Sequence, residues 1–265
     1  IEVADTLKPT TVGISIDYNN GHVTFSMSET MDYRLVNATF MNIFNHTSTP
    51  GVSLKGATVV STADSTDMVV KLTEPQRVFA ILNSGTTGGD NHSVLIKFDE
   101  NALADAARNT LSPVIFPNVT ETSDTVRPTL VSVLTDFGHG VIKLTFSEAI
   151  DSIPNTPSGG AKPVLLDRIF IGNTLNDPQG FNLLNGGRVY VEQRNETVVI
   201  KVSEVLRARI IAIGGLIGGD GTASFVNVLD GAVRDVANNP NVAGGFQAEE
   251  RPDTIGPNME QVTMH

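Results

Sequence analysis

Acidic side chains that recur at fixed intervals are the most chemically suggestive residues of this 265-residue chain. Asp5, Asp17, Glu29, Asp32, Asp90 and Asp105 have acidic counterparts at Asp124, Asp136, Glu148, Asp151, Asp220 and Asp235. Carboxylates are hard oxygen ligands, so a converging set could hold Ca2+ at a domain junction. The same residues cap turns through their side chains with no metal at all. No D-x-D-x-D-G loop occurs, which favours turn capping and leaves the metal question open. A second candidate is the run Gly214-Gly215-Leu216-Ile217-Gly218-Gly219-Asp220-Gly221, which follows the apolar stretch Ile210–Ile213 and matches Gly85-Thr86-Thr87-Gly88-Gly89-Asp90. Such a loop cradles phosphate when it follows a strand and opens a helix. Neither run is followed by a Lys-Ser/Thr pair, and both return to a strand pattern, so each reads as a turn between strands.

The histidines are His22, His46, His92, His139 and His265. None recurs between the matching stretches and none stands at ligand spacing from another, so they read as solvated loop residues. No nucleophile-elbow phrase is present, and paired carboxylates for glycoside cleavage would need a cleft. The residues therefore point to no catalytic centre and no organic cofactor; the chain is expected not to be an enzyme. Five N-x-S/T sequons begin at Asn37, Asn45, Asn91, Asn118 and Asn195. Asn195 reads as the tip of a hairpin, Asn91 lies beside the glycine run, and Asn118 precedes a repeat boundary. Asn37 and Asn45 flank a strand. These are places where a glycan would point into water.

Stepping out to the whole chain, the formal net charge is −11 and the pI about 4.8, which opposes contact with nucleic acid phosphates. Cysteine is absent, so neither a disulfide nor a thiolate metal site is available. No apolar run is long enough to span a bilayer and no signal peptide is present. The chain opens on Ile1, so it is expected to be part of a longer protein.

The organisation is a repeat. Asp5-Thr6-Leu7-Lys8-Pro9 returns as Asp124-Thr125-Val126-Arg127-Pro128 and again as Asp253-Thr254-Ile255-Gly256-Pro257. The first two copies match without a gap from Asp5 to Asp32 at an offset of 119 residues, then from Val36 to Asn109 at an offset of 130. One insertion, within Ser152–Lys162, accounts for the change. Both copies alternate apolar and polar residues with period two, as in Val23, Phe25 and Met27 against Ile142, Leu144 and Phe146. That period predicts strands with one buried face. Gly, Asn and Asp turns punctuate the runs, and Glu100–Ala107 could form one helical turn.

Three phrases carry a resemblance. The copies open with D-T-x-x-P. They continue through Thr145-Phe146-Ser147-Glu148-Ala149-Ile150-Asp151 and its counterpart Phe25-Ser26-Met27-Ser28-Glu29-Thr30-Met31-Asp32. They close with Asp105-Ala106-Ala107-Arg108-Asn109 and Asp235-Val236-Ala237-Asn238-Asn239. In this the chain resembles bacterial immunoglobulin-like domains of the S-layer and surface-protein type. Arg108 and Asn238 stand where those domains carry Gly, so the closing turn of the first copy is expected to differ, because Arg suits a left-handed backbone poorly.

The resemblance implies an all-β chain of tandem immunoglobulin-like β-sandwiches: residues 1–4 end a linker, 5–123 and 124–252 form two repeats, and 253–265 open a third. It implies rigid spacer modules of an extracellular, cell-surface, stalk or filament protein, with neighbouring copies and glycans as candidate partners. The alternative is a carbohydrate-binding or adhesive accessory region, which the absence of Trp and the presence of only Tyr18, Tyr33 and Tyr190 disfavour. The last segment, Asp253–His265, is expected to pair with protein outside the two complete repeats.

Overall fold

Side chains that alternate between water and apolar surroundings build sheets with one wet face, and this pattern runs through the computed structural model. It describes residues 3–46, 51–153, 164–175 and 180–256. Most of the Ser152–Lys162 insertion, and residues 257–265 of the segment expected to open a third repeat, lie outside the described residues. The chain divides into two compact units. One holds residues up to Arg127 together with Asp235–Asn239; the other holds 128–153, 164–234 and 240–256.

The first unit contains β1 (Thr11–Asp17), β2 (His22–Met31), β3 (Met41–Phe44), β4 (Val52–Ser53), β5 (Thr58–Val59), β6 (Ser65–Lys71), helix α1 (Glu74–Leu82), β7 (Leu95–Phe98), β8 (Val114–Phe116) and β9 (Val119–Thr122). Its strands form two sheets, in the orders β5-β6-β2-β1-β9 and β4-β3-β7-β8. All neighbours are antiparallel except β1 and β9, which run parallel. Val23, Phe25, Met68, Val70, Ile43 and Ile96 are all buried, and the Phe25 and Phe98 rings meet edge to face at 5.2 Å, joining β2 of one sheet to β7 of the other.

The second unit contains β10 (Leu130–Asp136), β11 (Val141–Asp151), β12 (Ile169–Gly172), β13 (Phe181–Asn182), β14 (Gly187–Val191), β15 (Arg194–Val202), helix α2 (Glu204–Ala212), β16 (Phe225–Val228) and β17 (Gly244–Arg251). Its strands follow one order, β13-β12-β16-β17-β10-β11-β15-β14. The run β14-β15-β11-β10-β17 parallels β5-β6-β2-β1-β9, and β13-β12-β16-β17 parallels β4-β3-β7-β8. β17 serves both runs, pairing with β16 and with β10. In the first unit that role is divided between β8 and β9, and Pro117, which has no N–H to donate, lies in the break. Ile142, Leu144, Ile169, Ile171, Val198, Ile200, Val226 and Val228 share one apolar core. No helix among the described residues is long and apolar enough to cross a membrane.

Three sequence expectations change. Glu100–Ala107 is not helical; it is a turn with a bridge at its end. The helices lie elsewhere, and Ile210–Ile213 closes α2 where a strand was expected. α1 starts with a capping box, in which Gln76 Oε1 accepts from the Thr73 N–H at 2.8 Å, and Pro75 stands in the first turn. Lastly, the closing turn of the first copy does not differ. Arg108 adopts φ 68° and Asn238 φ 74°, and the hydrogen bonds of Asp105 with Asn109 and of Asp235 with Asn239 agree to 0.1 Å or better. The turn is over-determined by these Asp–Asn bonds, so Arg108 is held in left-handed backbone at a cost. Replacing it by Gly is expected to stabilise the first unit by about 1 kcal/mol, allowing for the extra entropy Gly brings to the unfolded chain. Urea denaturation of the Arg108→Gly variant checks this.

Candidate functional site: the opening and exit segments of each unit

The repeated phrases form local joints within each unit. In each copy the opening Asp forms a tight turn with the backbone two residues on. Asp5 Oδ1 accepts from Leu7 N–H, Asp124 from Val126 and Asp253 from Ile255, all at 3.0 Å. The following Pro9 and Pro128 are buried. The Ser of the Ser-Glu phrase then pins the next residue. Ser28 Oγ accepts from Thr10 N–H at 2.9 Å and Ser28 N–H donates to Thr10 O at 2.9 Å; Ser147 and Thr129 repeat this at 3.0 and 2.9 Å. A register shift in the β2–β6 and β11–β15 pairings falls on this phrase, a bulge that re-aims its side chains.

In the first unit one carboxylate oxygen each of Asp5, Glu29 and Asp105 lies within 4.8 Å of the others. Burial, then the charges of Asp105 and Asp5, hold the Glu29 carboxyl above its usual range. Both Asp105 oxygens already accept from Asn109, at 2.7 and 2.9 Å. Three side chains supply only part of the six to eight oxygens Ca2+ takes. Six of the other shared acids act as caps; one is Asp151, whose Oδ1 accepts from Ile153 N–H at 3.2 Å. Asp17 accepts from Asn19 N–H, Asp32 from Arg34 N–H, Asp90 from His92 N–H, Asp136 from His139 N–H and Asp220 from Thr222 N–H.

The exit segments carry a device that the sequence reading missed. Arg77 of α1 is 7% exposed. It donates from Nε and Nη2 to both oxygens of Glu74 at 2.7 Å, and from Nη1 to Tyr18 O at 2.9 Å and to Asp124 Oδ2 at 2.7 Å. Burial lowers the guanidinium's pKa, but Glu74 and Asp124 outweigh it and the net shift is upward. Arg207 of α2 repeats every contact in the second unit, with Glu204, with Phe137 O at 2.8 Å and with Asp253 Oδ2. The hydrogen bond from Arg207 holds the Asp253 carboxyl below its usual range. Each helix arginine thus grips the aspartate of the D-T-x-x-P phrase near the end of its own unit. The signal was present: Glu-x-x-Arg stands at 74–77 and 204–207, at the same offset of 130 that relates Lys71 to Lys201.

The glycine runs hold an anion, and it is the protein's own. Gly85 N–H donates to Glu121 Oε2 at 2.9 Å, and Gly215 N–H to Glu250 Oε2 at 2.7 Å. A Cβ on Gly89 would lie 2.1 Å from Ser84 O, and one on Gly219 would lie 2.0 Å from Gly214 O, so close backbone packing demands glycine there. Glu121 Oε1 also accepts from the Tyr18 hydroxyl at 2.6 Å. Burial first, then the Glu121 charge, pushes the Tyr18 phenol up. The second copy has Phe137 in place of Tyr18, and Ser224 in place of Val94. There Glu250 Oε1 accepts from Ser224 N–H and Oγ at 2.9 and 2.7 Å.

The sequons are placed as follows. Asn37, Asn91 and Asn118 are exposed. Asn37 Oδ1 accepts from Thr39 N–H, Asn91 has φ 70°, and Asn118 lies between β8 and β9. Asn45 uses its amide nitrogen on Asn83 Oδ1 at 2.6 Å and Asp90 Oδ2 at 2.9 Å. Asn195 is not at a hairpin tip: it lies inside β15 opposite Ile150, half-buried, with Oδ1 accepting from Thr197 N–H and Oγ1. The turn is Glu192–Gln193, so the strand begins earlier than the Asn signal implied. His46 and His92, 46 residues apart, stack on each other; sequence spacing could not reveal this.

No family model matches the chain, and no curated protein sequence matches it. Among solved structures it is similar to the N-terminal part of the bacterial S-layer protein SbsC, at 10% identity and TM-score 0.31 over 92% of this chain and 44% of that one. It is also similar to the BSP domain of a biofilm-associated protein, at 11% identity and TM-score 0.22 over 94% of this chain and 30% of that one. An I-band fragment of titin is a third, at 8% identity and TM-score 0.22 over 92% and 66%. The chain spans less than half the length of the S-layer chains it matches.

Two measurements test the joints. Tyr18→Phe strips a donor from Glu121 and is expected to cost about 2 kcal/mol, the range for a hydrogen bond to a charged group. Adding Val94→Ser, which copies the second unit, is expected to restore at least half of that in urea denaturation. The second concerns Asp235, whose carboxyl is pushed up to about 6, by burial first and then by the Asp124 charge, against hydrogen bonds from Asn239. A raised carboxyl favours the folded state while protonated, so its contribution is full below its unfolded value and is lost as pH rises through 6. Carboxyl-carbon NMR of Asp235 is expected to titrate near pH 6, with about 3 kcal/mol of stability lost above it.

Proposed function

We propose that this chain is a stretch of repeat modules, at 5–123 and 124–252 with a third opening at 253, from an extracellular structural protein of a cell surface, stalk or filament. The observation that carries the reading is the duplicated exit joint. Arg77 grips Asp124 in one unit and Arg207 grips Asp253 in the other through the same atoms. A helix arginine that binds the first residue of the following repeat fixes where the chain leaves each module, which a spacer needs and a free-standing domain does not. The Ser28–Thr10 and Ser147–Thr129 pins do the same for the chain's arrival. Function then resides in length, stiffness and surface display, with neighbouring copies as partners. Asn37, Asn91 and Asn118 are the sequons whose exposure best suits glycans on such a surface; a glycan on Asn45 would displace one of its two amide bonds.

Single-molecule pulling on the whole chain tests the reading. Two separate unfolding events are expected, each lengthening the chain by about 400 Å at roughly 3.5 Å per residue. One all-or-none event would exclude independent modules.

A further inference from the structure

The first unit holds a group of ligating side chains that no joint uses. One nitrogen each from His46 and His92 and one carboxylate oxygen of Asp90 lie within 4.8 Å of one another. The two imidazole rings stack with centroids 3.6 Å apart and planes 18° from parallel. His46 Nδ1 lies 3.5 Å from Asp90 Oδ2, and His92 Nδ1 lies 3.7 Å from Asp90 Oδ1 and 3.1 Å from the Asp90 backbone oxygen. We propose that His46, His92 and Asp90 form a surface site for a divalent transition cation of the Zn2+ type.

Three features support the assignment. The donor set, two imidazoles and a carboxylate, is the kind that suits borderline cations and not Ca2+ or Mg2+. The carboxylate is oriented by its surroundings: its Oδ1 accepts from His92 N–H at 3.0 Å and its Oδ2 from the Asn45 amide at 2.9 Å, and that amide is itself held by Asn83 at the end of α1. Such supporting bonds are what fix metal ligands in place. Finally, all three side chains are partly exposed, from 31% to 55%, so an ion can enter and the rings can move. Bonds of about 2.0–2.1 Å place tetrahedral ligands about 3.3 Å apart, so the partly exposed rings turn out of their stack as they close on the ion, each aiming an in-plane lone pair at it. Three protein ligands leave one position for water or for a donor from another molecule. The site belongs to this copy alone, because the second copy has Asn176 and Thr222 where the first has His46 and His92.

The test uses the whole chain, ZnCl2 as probe and the histidine ring nitrogens as reporters. On one equivalent of Zn2+ the long-range nitrogen signals of His46 and His92 are expected to shift together, those of His22 and His139 to stay, and CaCl2 to leave all four in place. Calorimetry is expected to show Zn2+ affinity reduced at least tenfold in His92→Ala and in His46→Ala, with unchanged melting temperature in the absence of metal. Zn2+ uptake of equal affinity in the His46→Ala/His92→Ala double variant overturns the proposal. So do ring signals that ignore Zn2+ or respond equally to Ca2+.

Discussion

A guanidinium cannot shed its proton inside a protein, so once buried it must find an acceptor for every donor it presents. Arg77 is in that position. Its fork is filled by both oxygens of Glu74, the carbonyl of Tyr18 and the carboxylate of Asp124. Three separate stretches of chain are thereby tied to one residue: helix α1, the end of the β1–β2 hairpin and the segment after β9. Removing any of them would leave a buried charge short of a partner, typically a loss of about 3–5 kcal/mol. The value of such a pair lies less in net stability than in excluding other routes for the chain. Asp124 is thereby tied to Arg77 of α1 within the first unit.

The same economy governs the glycine run. Its shape is set by backbone atoms too close for any Cβ, and its free N–H is aimed at a carboxylate of the last strand. A phosphate-binding loop uses similar geometry, but there the anion arrives from outside and a helix N-terminus adds to its binding. Here the helix precedes the loop and the anion is covalently part of the chain, so the loop becomes a latch for β9 and β17. The second carboxylate oxygen is met in two different ways, by the Tyr18 hydroxyl in one unit and by Ser224 in the other. What is kept is a satisfied, half-buried acceptor, and the donor is free to change as long as one exists.

The strands were legible because period two is a direct consequence of pleating. Val23, Phe25, Met68, Val70, Val198 and Ile200 are buried as their alternation implied. The internal repeat was legible because both copies face the same backbone demands at Gly21 and Gly140, where φ is 73° and 60°. The helices were not. At nine residues each they are too short for a decisive 3.6-residue period, and Ile210–Ile213 is as apolar as any strand. Arg108 misled for another reason: the Asp105–Asn109 bonds impose the turn and the side chain follows. The histidine pair was invisible because a fold, not a spacing, brings residues 46 and 92 together.

Two copies within one chain also separate what the module requires from what has been added to it. The residues kept in both are those that satisfy backbone or buried charge: the opening Asp, the Ser pin, the helix arginine with its glutamate, and the strand glutamate at the glycine run. The residues that differ include all five sequons and the His46–His92 pair, and these lie wholly or partly at the surface. A side chain at the surface can change without disturbing the joints, since nothing buried depends on it. A module whose interior and joints are over-determined can therefore vary its exterior, and chemistry that distinguishes one repeat from the next has room to arise only there.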